Sequence, residues 1–304
     1  MTGRIMPHPG GYRRIRMHPG IALALGAAAR QSGRMTILCA TCGVEAAEPL
    51  PETCPICADE RQWVPMHGQI WTSTDEHVGD GMHIDVVELE PGAWALTSDP
   101  AVGIGQRSIL VQTTEGNLLW DPLGTITDAA VEQVRELGGL AVVAASHPHM
   151  FGVQCAWADA LDARVLVNRH DASWVQRQHD RIELWDDQVD LLPGVRLLRL
   201  GGHFPGAAVV VWEAGSEGEG SLLAGDTMQP KPDRASVGFM RSYPNNIPLS
   251  AGVVRRLADR AAELRFRRVY GNIPGQVVED GPTAIARSAE RHIGWVTGAF
   301  DHLT

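Results

Sequence analysis

Four of the five cysteines stand in two C-x-x-C pairs, Cys39-Ala40-Thr41-Cys42 and Cys54-Pro55-Ile56-Cys57, separated by eleven residues. Two tight turns at that spacing aim four thiolates at one tetrahedral ion, and Gly43 and Pro55 are residue types such turns favour. Two disulfides explain the pattern less well, and no βαβ pattern surrounds either pair as a thioredoxin-like motif requires. The fifth cysteine, Cys155, lies in an apolar stretch beside Ala156 and Trp157 and reads as an ordinary buried thiol.

A second constellation is built from histidine. Ser146-His147-Pro148-His149 follows the apolar run Ala141–Ala145, and residues two apart in an extended segment project to one side. Pro148 biases His147 toward extended geometry, so both imidazoles are expected to face one point. Gly201-Gly202-His203-Phe204-Pro205-Gly206 is a glycine-rich loop that can hold His203 against a site at little steric cost. Gly225-Asp226-Thr227 places a carboxylate at the exit of Leu222-Leu223-Ala224.

These groups need strands that end at one edge. Strands are predicted at 108–112, 117–121, 141–145, 164–167, 195–200, 207–212, 221–224 and 268–270, and helices at 128–137, 156–161, 172–178, 251–264 and 282–297. In the fourth helix Val253, Val254, Leu257, Ala261 and Leu264 recur at helical spacing. An early meander followed by mixed strands and helices predicts an α/β (α+β) sandwich. Asp171 reads as the N-cap of 172–178 and His170 as a surface residue, with either as a reserve candidate for proton handling.

The 304 residues are 44% hydrophobic and 20% charged, enough for a substantial core. Thirty-six acidic against 26 basic side chains give a net charge of −10, which argues against nucleic acid or an anionic membrane as partner. Residues 1–34 carry six arginines and no acid, leaving −16 on the remainder. That basic end, with its nine-residue apolar run 21–29, is a mediocre export signal and reads as an unstructured extension ahead of an alternative start at Met35. No run approaches the roughly 18 apolar residues that span a bilayer. Three regions are expected: the extension 1–34, a four-cysteine module 35–65 whose folding energy comes from its metal, and a domain 66–304.

The run from Cys42-Gly43 to Cys54-Pro55-Ile56-Cys57 resembles a zinc ribbon and equally the rubredoxin-like module of rubrerythrins. H-x-H, then Gly-Gly-His-x-Pro-Gly, then Gly-Asp-Thr, with Asp121 ending the strand before them, resembles the metallo-β-lactamase superfamily over about residues 70–290. The resemblance implies a four-layer αββα sandwich with metal at one edge, Asp121 as a structural aspartate, and hydrolysis by a metal-activated water. That family's motif continues with an aspartate and a histidine, which fall here on Phe151 and Gly152, and its last histidine falls on Asn272. The departures imply one metal in place of two, held by His147, His149, His203 and Asp226, with Asp226 also the catalytic carboxylate. Loops at the metal edge shape substrate pockets in this fold, which makes Arg241, Tyr243 and Asn272 substrate-binding candidates.

Three functions follow. The first is a mononuclear zinc hydrolase of a small ester, thioester or lactone, with a second zinc in the cysteine module. The second is an iron oxidoreductase, iron occupying either site and the cysteine module carrying electrons. The third is a non-catalytic metal-binding relative that uses the module for protein contacts. Free cysteine pairs favour a reducing, cytoplasmic setting, and the acidic body favours a small-molecule substrate.

Overall fold

Extended runs such as Ser108–Thr113 bury both faces, Ile109 and Val111 to one side and Leu110 to the other, so each sheet needs a layer on either side. The computed structural model describes residues 35–304; the basic extension 1–34 and its apolar run lie outside the described residues. In chain order, β1 (Ile37–Cys39), β2 (Glu45–Ala46) and β3 (Trp71–Ser73) form a small antiparallel sheet around the cysteine pairs. Helix α1 (Thr74–Gly79) follows, started by a capping box between Ser73 and Glu76.

Next come β4 (His83–Glu90), β5 (Ala93–Asp99), β6 (Ser108–Thr113), β7 (Gly116–Trp120), α2 (Asp128–Glu136), β8 (Val142–Ala144), α3 (Gln154–Leu161), β9 (Arg164–Asn168) and β10 (Ile182–Trp185). These seven strands make one sheet, antiparallel from β4 to β7 and parallel from β7 to β10. Then follow β11 (Gln188–Leu192), β12 (Val195–Arg199), β13 (Ala208–Trp212) and β14 (Ser221–Leu223). Two short hairpins come next, β15 (Gln229–Pro230) with β16 (Val237–Gly238) and β17 (Met240–Ser242) with β18 (Ile247–Pro248). The chain closes with α4 (Ala251–Ala262), β19 (Arg268–Tyr270), β20 (Val277–Val278) and α5 (Gly281–Val296). The second sheet has the order β11-β12-β13-β14-β19-β20.

The sheets face each other through Ile109, Leu118, Trp120 and Val142 on one side and Leu197, Val210, Trp212 and Leu223 on the other. Val131, Val134, Trp157 and Ala158 of α2 and α3 cover the outer face of the first sheet. Val254, Leu257, Ile285 and Ala289 of α4 and α5 cover that of the second. This is a four-layer αββα sandwich, preceded by a four-cysteine knuckle. No helix among the described residues is long and apolar enough to cross a membrane.

Two features differ from the sequence-based expectation. The helix expected at 172–178 is a 3₁₀ turn, Arg169–Trp174, capped by the Asn168 side chain in place of Asp171. Asp171 is drawn inward, where its carboxylate accepts the Gly206 N–H at 2.9 Å, and Val175 is already extended. Strands β4, β5, β10 and β11 had no counterpart in the sequence reading, because half-exposed strands such as His83–Glu90 mix charges into their alternation. Segment 35–65, as its few apolar residues imply, has no core of its own: Leu38, Cys39, Cys42, Val44 and Ile56 share one buried cluster with Leu110, Leu119 and Trp157. Gly43 (φ +77°) is pressed against Gly124, where a Cβ would stand 2.5 Å from the Gly43 Cα, so both contacts require glycine.

Burial pushes the Asp171 carboxyl up to about 6, opposed by the Gly206 N–H that favours the charged form. In the unfolded chain it ionises at about pH 3.9. Between those values the folded chain keeps a proton the unfolded chain has lost, so stability falls as pH rises from about 4 to about 6 and the cost is constant above. Asp171→Asn keeps an acceptor for Gly206 and cannot ionise. It is expected to match the wild type near pH 4 and to exceed it by up to about 3 kcal/mol near pH 8 in denaturant unfolding. A difference independent of pH would contradict this.

Candidate metal centre

His147 follows β8 with φ −170° and ψ 171°, the extended geometry expected before a proline, while His149 lies in a 3₁₀ turn, Pro148–Met150. The two imidazoles therefore converge through a turn and not through an extended strand, with ring centroids 5.3 Å apart. His203 sits in a loop made by Gly201 (φ +71°) and Gly202 (φ +92°), its ring 4.8 Å from that of His147. Asp226 follows β14 through Gly225 (φ +50°), at which a Cβ would lie 2.5 Å from the Ser146 side chain. The glycine thus lets the Asp226 turn touch the H-x-H turn.

The ligand atoms of His147, His149 and His203 lie within 4.8 Å of one another, and all three residues are at most 4% exposed. None of their Nε2 atoms has a hydrogen-bond partner. An orphaned buried polar atom costs about 1–3 kcal/mol, so three that converge point to a ligand that satisfies them. Nδ1 of His203 donates to the Met240 carbonyl (3.0 Å) and Nδ1 of His147 lies 2.9 Å from Ser146 Oγ, which leaves both Nε2 lone pairs facing inward. Burial pushes all three imidazoles below their usual range, reinforced for His147 and His149 by the neighbouring His203, so they are neutral, the form that ligates.

Asp226 Oδ2 lies 3.7 Å from His147 Nε2 and 3.9 Å from His203 Nε2. Its Oδ1 accepts the Gln229 amide (3.0 Å), and Lys231 Nζ donates to Gln229 Oε1 (2.7 Å), which fixes the carboxylate with Oδ2 toward the histidines. Asp121 is buried with φ +53°, and its Oδ1 accepts the Ser146 N–H (2.6 Å). It braces the H-x-H turn, and burial pushes its carboxyl up to about 7. Three imidazoles and a carboxylate of this disposition fit one metal ion.

In the knuckle, Sγ of Cys39 is 3.5 Å from that of Cys57 and Sγ of Cys42 is 3.8 Å from that of Cys54, and no pair is bonded. Thiolates about 2.3 Å from a tetrahedral ion stand about 3.8 Å from each other, so the four cysteines also fit a metal.

No family model matches the chain. It is 38% identical over 269 residues to the uncharacterized protein YmaE of Bacillus subtilis (strain 168), an alignment spanning 87% of this chain and 98% of the relative. The chain belongs to the YmaE family. Similar solved structures include a B3 metallo-β-lactamase with an active-site glutamic acid (TM-score 0.48, 15% identity, 68% of this chain and 88% of that one). A metallo-β-lactamase family protein of Thermus thermophilus is similar as well (TM-score 0.47, 19% identity, 71% and 83%).

In this YmaE-family chain the positions that lack metal ligands are structural. Phe151 is buried in the cluster beneath the first sheet. Gly152 has φ +52° and faces the Pro122 and Leu123 carbonyls, which leave no room for a side chain. Knuckle residue Glu45 packs there, its N–H on the Gly152 carbonyl (2.9 Å) and its carboxylate accepting the Cys155 N–H (2.7 Å). Cys155 is fully buried, and burial holds its thiol well above the usual range. Asn272 is buried with both amide atoms unpaired. Tyr243 lies with its ring 5.7 Å from that of His203, and its hydroxyl donates to the Asp226 carbonyl (3.1 Å). Arg241 is half-exposed and paired with Glu60 (3.1 Å). His170 is exposed, and the buried Asp171 is spent on Gly206.

Two site neighbours escaped the sequence reading. Asp59 Oδ1 stands 3.8 Å from His149 Nε2, and the Arg61 guanidinium donates to the His203 carbonyl (3.0 Å) and lies 3.4 Å over the Phe204 ring. The available signal was an acid and a base closely following Cys57, but their targets lie 90 residues (Asp59 to His149) and 142 residues (Arg61 to His203) away along the chain.

Proposed function

We propose that the chain is a mononuclear metal-dependent hydrolase in which His147, His149, His203 and Asp226 hold one ion, zinc being the metal this donor set suits. The convergence of three orphaned, neutral Nε2 atoms carries the reading. A bound ion supplies a water acidified toward a pKa of ~7 and polarises a carbonyl oxygen. Asp226, oriented by Gln229 and by the Tyr243 hydroxyl on its backbone, would hold the ion and be the carboxylate at hand for the proton of a bound water. Phe204 packs against all three histidine rings, with Trp174 behind it, and closes that side of the site. Gln229, Lys231, Tyr243 and Arg241 are only partly buried, so substrate entry is assigned to this side, with Arg241 as the most outlying cation there. Asn272, with an unpaired donor and acceptor, is a second polar contact for a carbonyl-bearing group. An ester, thioester or lactone of small size fits these features and the acidic body of a cytoplasmic protein.

Elemental analysis with an absorption spectrum of aerobically purified protein, followed by an ester, thioester and lactone screen, tests the proposal. Two equivalents of zinc, no visible colour, and hydrolysis abolished in His203→Ala are expected. A visible thiolate-to-iron band would assign an oxidoreductase instead. Metal without turnover of any tested substrate would assign a non-catalytic protein.

A further inference from the structure

The H-x-H motif loses its second pair of ligand positions because Phe151 and Gly152 serve the packing against the knuckle, yet the same knuckle returns a carboxylate to the site. Asp59 lies two residues past Cys57, in a turn closed by Ala58 N–H on the Cys54 carbonyl (2.9 Å) and Gln62 N–H on the Asp59 carbonyl (3.1 Å). Its Oδ1 to His149 Nε2 distance, 3.8 Å, matches the 3.7 and 3.9 Å between Asp226 Oδ2 and the other two histidines. The side chain is 11% exposed, against 9% for Asp226. Asp226 thus serves the His147 and His203 side of the triad, and Asp59 serves the His149 side.

The position of Asp59 is fixed from three directions. Arg61 grips both carboxylate oxygens, Nε on Oδ1 (2.5 Å) and Nη2 on Oδ2 (2.7 Å), and is itself held on the His203 carbonyl and the Phe204 ring. The Glu60 carbonyl accepts Ser242 Oγ and Asn245 Nδ2, both at 2.7 Å. The Glu60 carboxylate pairs with Arg241. The β17–β18 hairpin therefore latches the knuckle turn over the histidines, and the carboxylate is delivered on a rigid support.

From this geometry we infer that Asp59 is a further ligand of the histidine site, a second carboxylate supplied by the four-cysteine knuckle. The knuckle is then a working part of the metal centre, and the ion it holds positions one donor for the other ion. This inference rests on the histidine site being a metal site.

Cadmium-113 NMR of the full chain loaded at both sites tests it, because a four-thiolate site and a nitrogen–oxygen site give separate resonances. Asp59→Asn is expected to move the nitrogen–oxygen resonance and to weaken zinc there about 10–100-fold in chelator competition, with the thiolate resonance unchanged as a check on folding. Asp59→Glu, which keeps the carboxylate, is expected to retain most of the affinity, and Glu52→Gln, at an exposed acid of the same knuckle, to leave the resonance in place. An unmoved resonance and unchanged affinity in Asp59→Asn would overturn the inference and leave the three-histidine site standing. Absence of any nitrogen–oxygen resonance in the wild type would overturn both.

Discussion

Replacing His147 with alanine is expected to remove one of two metal equivalents and to leave the four-cysteine ion in place. His147 is 2% exposed, its Nε2 faces Asp226 Oδ2 at 3.7 Å, and its ring touches those of His149 and His203. With it gone, the site keeps two imidazoles and a carboxylate and loses one of its three converging buried nitrogen donors, so its hold on the ion weakens. Loss of an outer-shell partner alone costs about 10–100-fold in metal affinity, so loss of a direct ligand costs more, and metal-dependent hydrolysis falls with it. The fold should survive, because the alanine removes a polar atom that is unsatisfied without the ion. Elemental analysis after dialysis, read beside a thermal unfolding curve, checks this. Retention of both equivalents would refute the assignment.

The second large effect is expected from Cys42→Ser. Cys42 and Cys54 are 2% and 1% exposed, and the knuckle's apolar residues lie in the cluster that also packs the first sheet against α2 and α3. Structural zinc contributes roughly 10–16 kcal/mol in isolated finger peptides, more than many whole domains have in hand. Losing a thiolate should therefore release the knuckle ion and destabilise the chain by several kcal/mol. Loss of one metal equivalent and a lower denaturant midpoint are the readouts. A variant within about 1 kcal/mol of the wild type would mean that the knuckle folds without metal, since ordinary surface substitutions stay inside that range.

Much of the site was legible in the residues. C-x-x-C spacing, H-x-H after an apolar run and Gly-Asp at a strand exit are local patterns, and local patterns survive folding because backbone geometry alone sets where such neighbours point. Gly201, Gly202 and Gly225 take positive φ, as glycine loops beside a site would. Asp171 shows where locality fails. It has the sequence of a helix cap, yet Gly206, 35 residues on, offers a backbone N–H that wins the carboxylate. His83–Glu90 failed for a related reason, since a half-exposed strand carries charges that blur its alternation.

The sequence by itself determined the cysteine and histidine clusters, which depend on residue identity and short-range spacing, while the resemblance it carries pointed to the sandwich and to 151, 152 and 272 as positions without ligand types. Only the tertiary structure decided that Phe151 and Gly152 belong to the seat of the knuckle, that Tyr243 braces Asp226, and that Asp59 and Arg61 reach the histidines. The physical reason is distance along the chain. A carboxylate 90 residues before its histidine partner leaves no periodic trace, and packing of the knuckle on the first sheet is what brings them within 4 Å.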